Sequence, residues 1–199
     1  MRTGRYSARE VDCDAALVAA VARGDAAAFR LLTERHMLPV HRLAARMLTD
    51  SNEAEEVTQD TFLKLWTHAS RWRPANGDSS VLPWLRSLIM NACIDRLRRR
   101  RFVTGEEAPE RADESASPAE QIDQGRLGAI VGKALRSLPD RQQAAIVLTY
   151  YEELQNIEAA NALNLHLKAF ESLLLRARHA LKAKLSGMGI GAEDLREVA

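Results

Sequence analysis

The side chains best suited to recognising another molecule lie between residues 71 and 101, in RWRPANGDSSVLPWLRSLIMNACIDRLRRRR. Arg86, Ser87, Asn91 and Asp95 carry donors and acceptors able to hydrogen-bond base edges, and they lead into the cations Arg96, Arg98, Arg99, Arg100 and Arg101. A buried guanidinium without a partner is very costly, so these cations must face water or a polyanion. Ahead of them a polar loop, 74–80, separates Trp72 from Trp84 and has room to admit an unstacked base. A solvated basic helix end, where cations also suit the helix dipole, accounts for the arginines as well.

Other chemistry is poorly supported. There is no nucleophile–base pair, glycine-rich phosphate loop or ligand cluster, and Asp60 and Asp95 are lone carboxylates on different helices, so an enzyme, a cofactor and a metal are not expected. His36 and His41 are five apart, a poor alignment for a shared metal ion. Cys13 and Cys93 stand far apart without metal-ligand spacing, which suits a reducing compartment with no structural disulfide. No apolar run approaches the roughly 20 residues that span a bilayer, and MRTGRYSARE lacks the apolar core of a signal peptide. The expectation is a cytoplasmic protein without membrane insertion.

The elements that must position these side chains read as helices. Aromatics make up only 5% of the 199 residues while alanine and leucine abound, a balance that favours helix throughout. Net charge is +1, but basic and acidic blocks are segregated along the chain. After a frayed lead-in over 1–11, a short helix from Asp14 presents Leu17, Val18 and Val21 and stops at Gly24. Asp25 caps a second helix with Phe29, Leu32, His36, Val40, Leu43, Ala44 and Met47 on one side, and Pro39 predicts a kink or break within it. Asp50 and Glu53 have capping-box spacing and open a third helix. Ala54, Val57, Thr58, Thr61, Phe62, Leu65 and Trp66 share one arc of it, while Glu56, Gln59, Asp60 and Leu63 share the other. A single exposed leucine is ordinary and is the first reading; an acidic face with an apolar centre would also suit a basic partner helix. A fourth helix, ending in the arginines, is expected to bury Trp84, Leu85, Leu88, Ile89 and Ala92.

Composition then changes abruptly. Residues 104–123 hold seven acids against Arg111, with Pro109 and Pro118 and no apolar periodicity, the signature of a flexible acidic linker. Beyond it, Ile122, Leu127, Ile130, Val131, Ala134, Leu135 and Leu138 mark one helix, and Pro139 suits the first turn of the next, DRQQAAIVLTYYEEL. A short helix around 157–163, a turn at Asn164, Leu165 and His166, and a long basic helix from Leu167 follow. Phe170, Leu174, Ala177, Leu181 and Leu185 form the core stripe of that last helix, and the order is that of a helix-turn-helix, or of an ordinary helical hairpin. The fold class expected is all-α: two small helical domains, 12–102 and 122–185, joined by the linker 103–121, with a Gly-rich, acidic tail over 186–199.

In this order, GDAAAF, a kinked helix ending RMLTD, EAEEVTQDTFLKLW and PWLRSLIMNACIDRLRRRR resemble the first conserved domain of bacterial sigma factors. LRSLPDRQQAAIVLTYYEEL with its helix-turn-helix resembles the second domain of the small extracytoplasmic-function (ECF) group, and the likeness covers roughly 12–185. It implies a promoter-specificity subunit that binds core RNA polymerase and promoter DNA and is held by an anti-sigma factor. By that likeness Glu56, Gln59, Asp60 and Leu63 would dock on the polymerase. Arg86, Asn91, Asp95, Arg96, Arg98 and Arg99 would engage the melted −10 strand, and His166, Lys168, Glu171, Ser172 and Arg176 the −35 duplex.

The second domain departs from the family pattern. Gln155 stands where serine usually opens the short helix, Ala159 where isoleucine is usual, and Asn164 where the turn has glycine. The usual Lys-Ser-Arg triplet reads Glu171, Ser172 and Leu173, so the family's sequence preference does not carry over. Leu167, Leu173 and Leu175 form either an apolar strip for a protein inhibitor or part of a small core. The competing function is a stand-alone helix-turn-helix regulator, which would leave the acidic and basic helices of the first domain without a role.

Overall fold

Two aspartates settle where the helices of the N-terminal half begin. Asp25 Oδ1 accepts from the N–H groups of Ala27 (2.9 Å) and Ala28 (3.2 Å), and Asp50 Oδ1 from those of Asn52 (2.8 Å) and Glu53 (3.3 Å), satisfying donors that a helix start leaves open. The computed structural model describes residues 13–74, 80–104 and 124–190; the lead-in 1–11, the centre of the polar loop, the linker and the tail end lie outside them. Packing divides the chain into two units: Met1–Asp95 with Ala160–Leu165, and Arg96–Ala159 with His166–Ala199.

The first unit holds α1 (Asp14–Val21), α2 (Ala26–Met47), α3 (Ser51–His68), a 3₁₀ turn (Ala69–Arg71) and the start of α4 (Leu82–Thr104). Gly24, at φ 85°, makes the left-handed turn between α1 and α2. α2 packs against both α1 and α3. The break expected at Pro39 is absent, since α2 is helical throughout. Leu32 and His36 before the proline, and Val40, Leu43 and Met47 after it, are buried on one face, and that burial offsets the lost backbone bond. The apolar face of α4 also differs from expectation. Leu85, Ile89, Met90 and Cys93 are completely buried, while Trp84, Leu88 and Ala92 are only half-buried. Met90 and Cys93 fill the positions that the pattern had given to Trp84 and Leu88, which rotates the helix and turns Asn91 toward its open side.

The second unit contains α5 (Gln124–Arg136), α6 (Asp140–Ile146), a π-helical turn (Val147–Tyr151) and α8 (Leu167–Gly187), with α7 (Asn156–Ala162) leading into α8. α8 packs on α5 and α6. Pro139 sits one residue earlier than expected, at the cap of α6. The helix read through residue 154 stops sooner: Glu152 N–H reaches back to Val147 O (3.1 Å), an i→i+5 bond, and Glu153 adopts φ 52°. The wider turn lets Val147 and Leu148 both point inward, where neither is exposed. Phe170, Leu173, Leu174, Ala177 and Leu185 are the buried stripe of α8, with Leu181 half-buried. Among the described residues there is no strand, and no helix is long and apolar enough to cross a membrane.

Candidate functional site

On α3 the buried arc is Ala54, Val57, Thr58, Thr61, Phe62 and Leu65. The two threonines are buried without penalty because their hydroxyls donate to Ala54 O (2.7 Å) and Val57 O (2.8 Å) within the helix. Trp66 is fixed by an edge-on contact with Phe29 on α2, ring centroids 5.2 Å apart. Opposite, Glu56, Gln59 and Asp60 are exposed around Leu63, itself 58% exposed. The helix thus presents an apolar centre in an acidic frame on a rigid support.

On α4 the helical period divides the sequence-chosen residues. At about 100° per residue, Asn91, Asp95, Arg98 and Arg99 share the face away from Leu85, Ile89, Met90 and Cys93, with Asn91 half-buried and the other three exposed, whereas Arg86 and Arg96, also half-buried, project from the flank nearer the core. Asn91 Nδ2 donates to Ser87 O (2.7 Å), which fixes its rotamer; among the described residues nothing donates to its Oδ1, which stays available to a ligand. Phe102, overlooked in the sequence because the arginines dominate that stretch, lies on the same face and is 90% exposed. Its spacing of seven and four from Asp95 and Arg98 is the signal that would have found it.

The helix-turn-helix is built by backbone bonds. Leu165 N–H reaches Ala160 O (2.9 Å) and Asn164 N–H reaches Asn161 O (3.1 Å), with Asn164 at φ 52°, so asparagine makes the left-handed turn that glycine would otherwise supply. Gln155 provides no side-chain cap, but Glu158 Oε2 accepts from Gln155 N–H (2.9 Å), half of a capping box. Ala159 and Ala160 are completely buried. On α8, Lys168, Glu171, Ser172 and Arg176 are exposed on the face opposite the core, and His166, also exposed, stands at the N-cap position without a side-chain capping bond. Arg176 Nε donates to Ser172 O (3.2 Å). The strip of three leucines is divided: Leu173 joins the core, while Leu175 is 53% exposed among the polar residues and Leu167 lies at the helix start. The second unit also holds a cavity of about 530 Å³ lined by Val131, Ile146, Tyr150, Tyr151, Leu181 and Leu185, with Arg178 stacked 5.5 Å from the Tyr150 ring.

One buried charge was not singled out by the sequence at all. Asp14, first residue of α1, is 5% exposed. Its Oδ1 accepts from Arg35 Nη1 (2.5 Å); its Oδ2 accepts from Val81 N–H (2.9 Å) and meets His36 Nε2 (2.8 Å). Burial pushes its carboxyl up, but the hydrogen bond from His36, the Val81 N–H, the charge of His36 and the bond from Arg35 outweigh burial and bring it down to about 2. An ionised carboxylate only accepts, so His36 Nε2 carries the proton. Nothing local marks Asp14, because its partners are 21, 22 and 67 residues away.

Comparison with known proteins gives two matches on separate stretches of the chain. The Sigma-70 region 2 family matches residues 32–103, and the Sigma-70, region 4 family matches residues 129–181. The ECF RNA polymerase sigma factor SigM of Mycobacterium tuberculosis is 32% identical over 187 residues, 94% of this chain and 91% of its own length. The ECF RNA polymerase sigma factor SigE of Mycolicibacterium smegmatis is 32% identical over 159 residues, 78% of this chain, and the match spans 60% of that longer relative. Among solved structures, CnrH in complex with the cytosolic domain of CnrY superposes with a TM-score of 0.63 at 28% identity, over 87% of this chain and 97% of CnrH.

Proposed function

The chain belongs to the ECF RNA polymerase sigma factors, and from that premise we propose how its surfaces divide the work of a promoter-specificity subunit. It carries no catalytic step of its own; it binds core RNA polymerase, directs it to promoter DNA and aids strand opening. The observation that carries this reading is the outer face of α3. Glu56, Gln59, Asp60 and Leu63 stand exposed on a helix whose other face is fully buried, so the face is rigid, acidic and apolar at its centre. That combination suits a basic helical element of the polymerase better than it suits solvent alone.

The domain from 12 to 102 then docks on the polymerase and holds the −10 element. Asn91 and Asp95 offer hydrogen-bonding groups to unstacked bases, Arg98 and Arg99 hold phosphates, and Arg86 and Arg96 flank that stripe. The segment 103–121 joins it to the domain 122–185, whose α8 enters a major groove at the −35 element through His166, Lys168, Glu171, Ser172 and Arg176. Glu171 accepts from cytosine and repels phosphate, so base choice here departs from a purely cationic helix. A stand-alone regulator needs only α7 and α8 and leaves the acidic face of α3 and the stripe of α4 without a partner. The place of action is the cytoplasm, with the polymerase.

A protein inhibitor of the anti-sigma kind is a further partner. CnrH, to which this chain is similar, is seen with the cytosolic domain of CnrY. Here Leu175, Leu167 and the cavity beside Tyr150 and Tyr151 leave apolar surface open on the DNA-binding half. Leu175→Ser is expected to weaken inhibitor binding while −35 duplex binding stays within about twofold; equal affinities for inhibitor would remove Leu175 from that interface. The sigma reading itself is tested by adding the purified chain to core polymerase. New promoter-dependent transcripts are expected, and none would count against it.

A further inference from the structure

The polar loop before α4 leaves the 3₁₀ turn at one end and enters α4 at the other, and α1 touches both ends. It packs on the turn Ala69–Arg71, where Arg73 Nη1 donates to Ser70 O (2.7 Å) and Trp72 O (2.8 Å). At the far end, the Asp14 carboxylate at the start of α1 takes the Val81 N–H at 2.9 Å, with Ser80 Oγ at 3.4 Å. Ser80 Oγ in turn accepts from Leu82 N–H (3.2 Å), closing the first turn of α4. The same carboxylate is tied to α2 by Arg35 and His36. One nearly inaccessible charge therefore joins α1, α2 and the entry to α4.

We infer that Asp14, braced by Arg35 and His36, is a positioning residue for −10 strand recognition: it holds Ser80 and Val81, sets the start and phase of α4, and so sets the placement of Asn91. The inference rests on the proposed role of α4 in capturing that strand. A helix is stiff over the ten residues between Val81 and Asn91, about 15 Å, so an error in its first turn reaches Asn91 undiminished. A carboxylate is suited to this task because it accepts several N–H groups at once, which a neutral side chain of the same size cannot match. The arrangement also explains why a charge is kept where an apolar residue would pack, since an apolar residue would hold α1 against α2 without holding Val81.

The test uses the full chain in holoenzyme and a single-stranded oligonucleotide carrying the non-template −10 sequence. Asp14→Asn, and the milder Arg35→Gln in case the first variant does not fold, are compared with Asn91→Ala for core binding, −35 duplex binding and oligonucleotide affinity across −10 variants. The inference expects Asp14→Asn to lower oligonucleotide affinity about tenfold and to blur discrimination between −10 variants, with core and −35 binding within about twofold. A parallel loss in all three would reduce Asp14 to a part of the fold and overturn the inference. If Asn91→Ala blurs discrimination and neither clamp variant does, the strand reading stands and the clamp falls. If Asn91→Ala has no effect but Asp14→Asn still lowers oligonucleotide affinity selectively, the clamp stands and the role given to Asn91 falls. No effect from any of the three overturns both.

Discussion

At the scale of single residues, the buried carboxylate and the exposed stripe of α4 lead to opposite kinds of experiment. Asp14 has its folded-state carboxyl lowered to about 2 from the ordinary 3.8. A lowered carboxyl stabilises the fold above the unfolded value and loses that contribution as pH falls toward the folded one. The expected contribution is about 2 kcal/mol, complete above about pH 5 and lost between about pH 4 and 2. Urea unfolding of the natural chain and Asp14→Asn should therefore differ at pH 7 and converge near pH 2; a constant gap would mean that the charge is not what stabilises. On α4, Asn91→Ala should reduce discrimination among −10 variants, whereas Arg99→Ala should weaken all of them about equally and lower the salt slope by about 0.7. Matching salt slopes and sequence profiles for the two variants would refute that division.

At the scale of elements, α3 and the helix-turn-helix make separate demands. Asp60→Lys with Leu63→Ala should weaken core polymerase binding at least about tenfold without changing helical content, because both side chains are exposed on the face away from the core. A pull-down indifferent to the pair would displace docking from this face. In the turn before α8, Asn164 holds φ 52°, so Asn164→Ala should cost about 1 kcal/mol of stability and Asn164→Gly very little. Thermal melts of the two variants check this, and equal melting points would contradict it. The sequence made much of these elements legible. Asp25 and Asp50 mark helix starts through local capping, Gly24 and Asn164 mark turns, and helical period alone separates the two faces of α3. It failed where the deciding interaction is distant or where two faces compete. Met90 and Cys93 displaced Trp84 and Leu88 because burial against neighbouring segments, not period, chose the face of α4. Val147 and Leu148 forced a π turn that no propensity foretells, and Leu173 went inward because a small core needs its side chain. Asp14 was invisible because its partners lie far along the chain.

At the scale of the whole molecule, the proposed division sets three recognition tasks on separate helices of one chain: polymerase on α3, melted strand on α4 and duplex on α8. Their order is what distinguishes a polymerase subunit from a free-standing DNA-binding protein, since only the α8 task makes sense in isolation. The most direct measurement is permanganate reactivity of thymines in a promoter that this chain serves, with core polymerase alone, the chain alone, and both together. Reactive thymines are expected at the −10 element only when both are present, lost with Asp60→Lys and Leu63→Ala in α3 and reduced with Asn91→Ala in α4. Stable binding of the chain alone to promoter duplex, with no reactive thymines when polymerase is added, would contradict the proposed division.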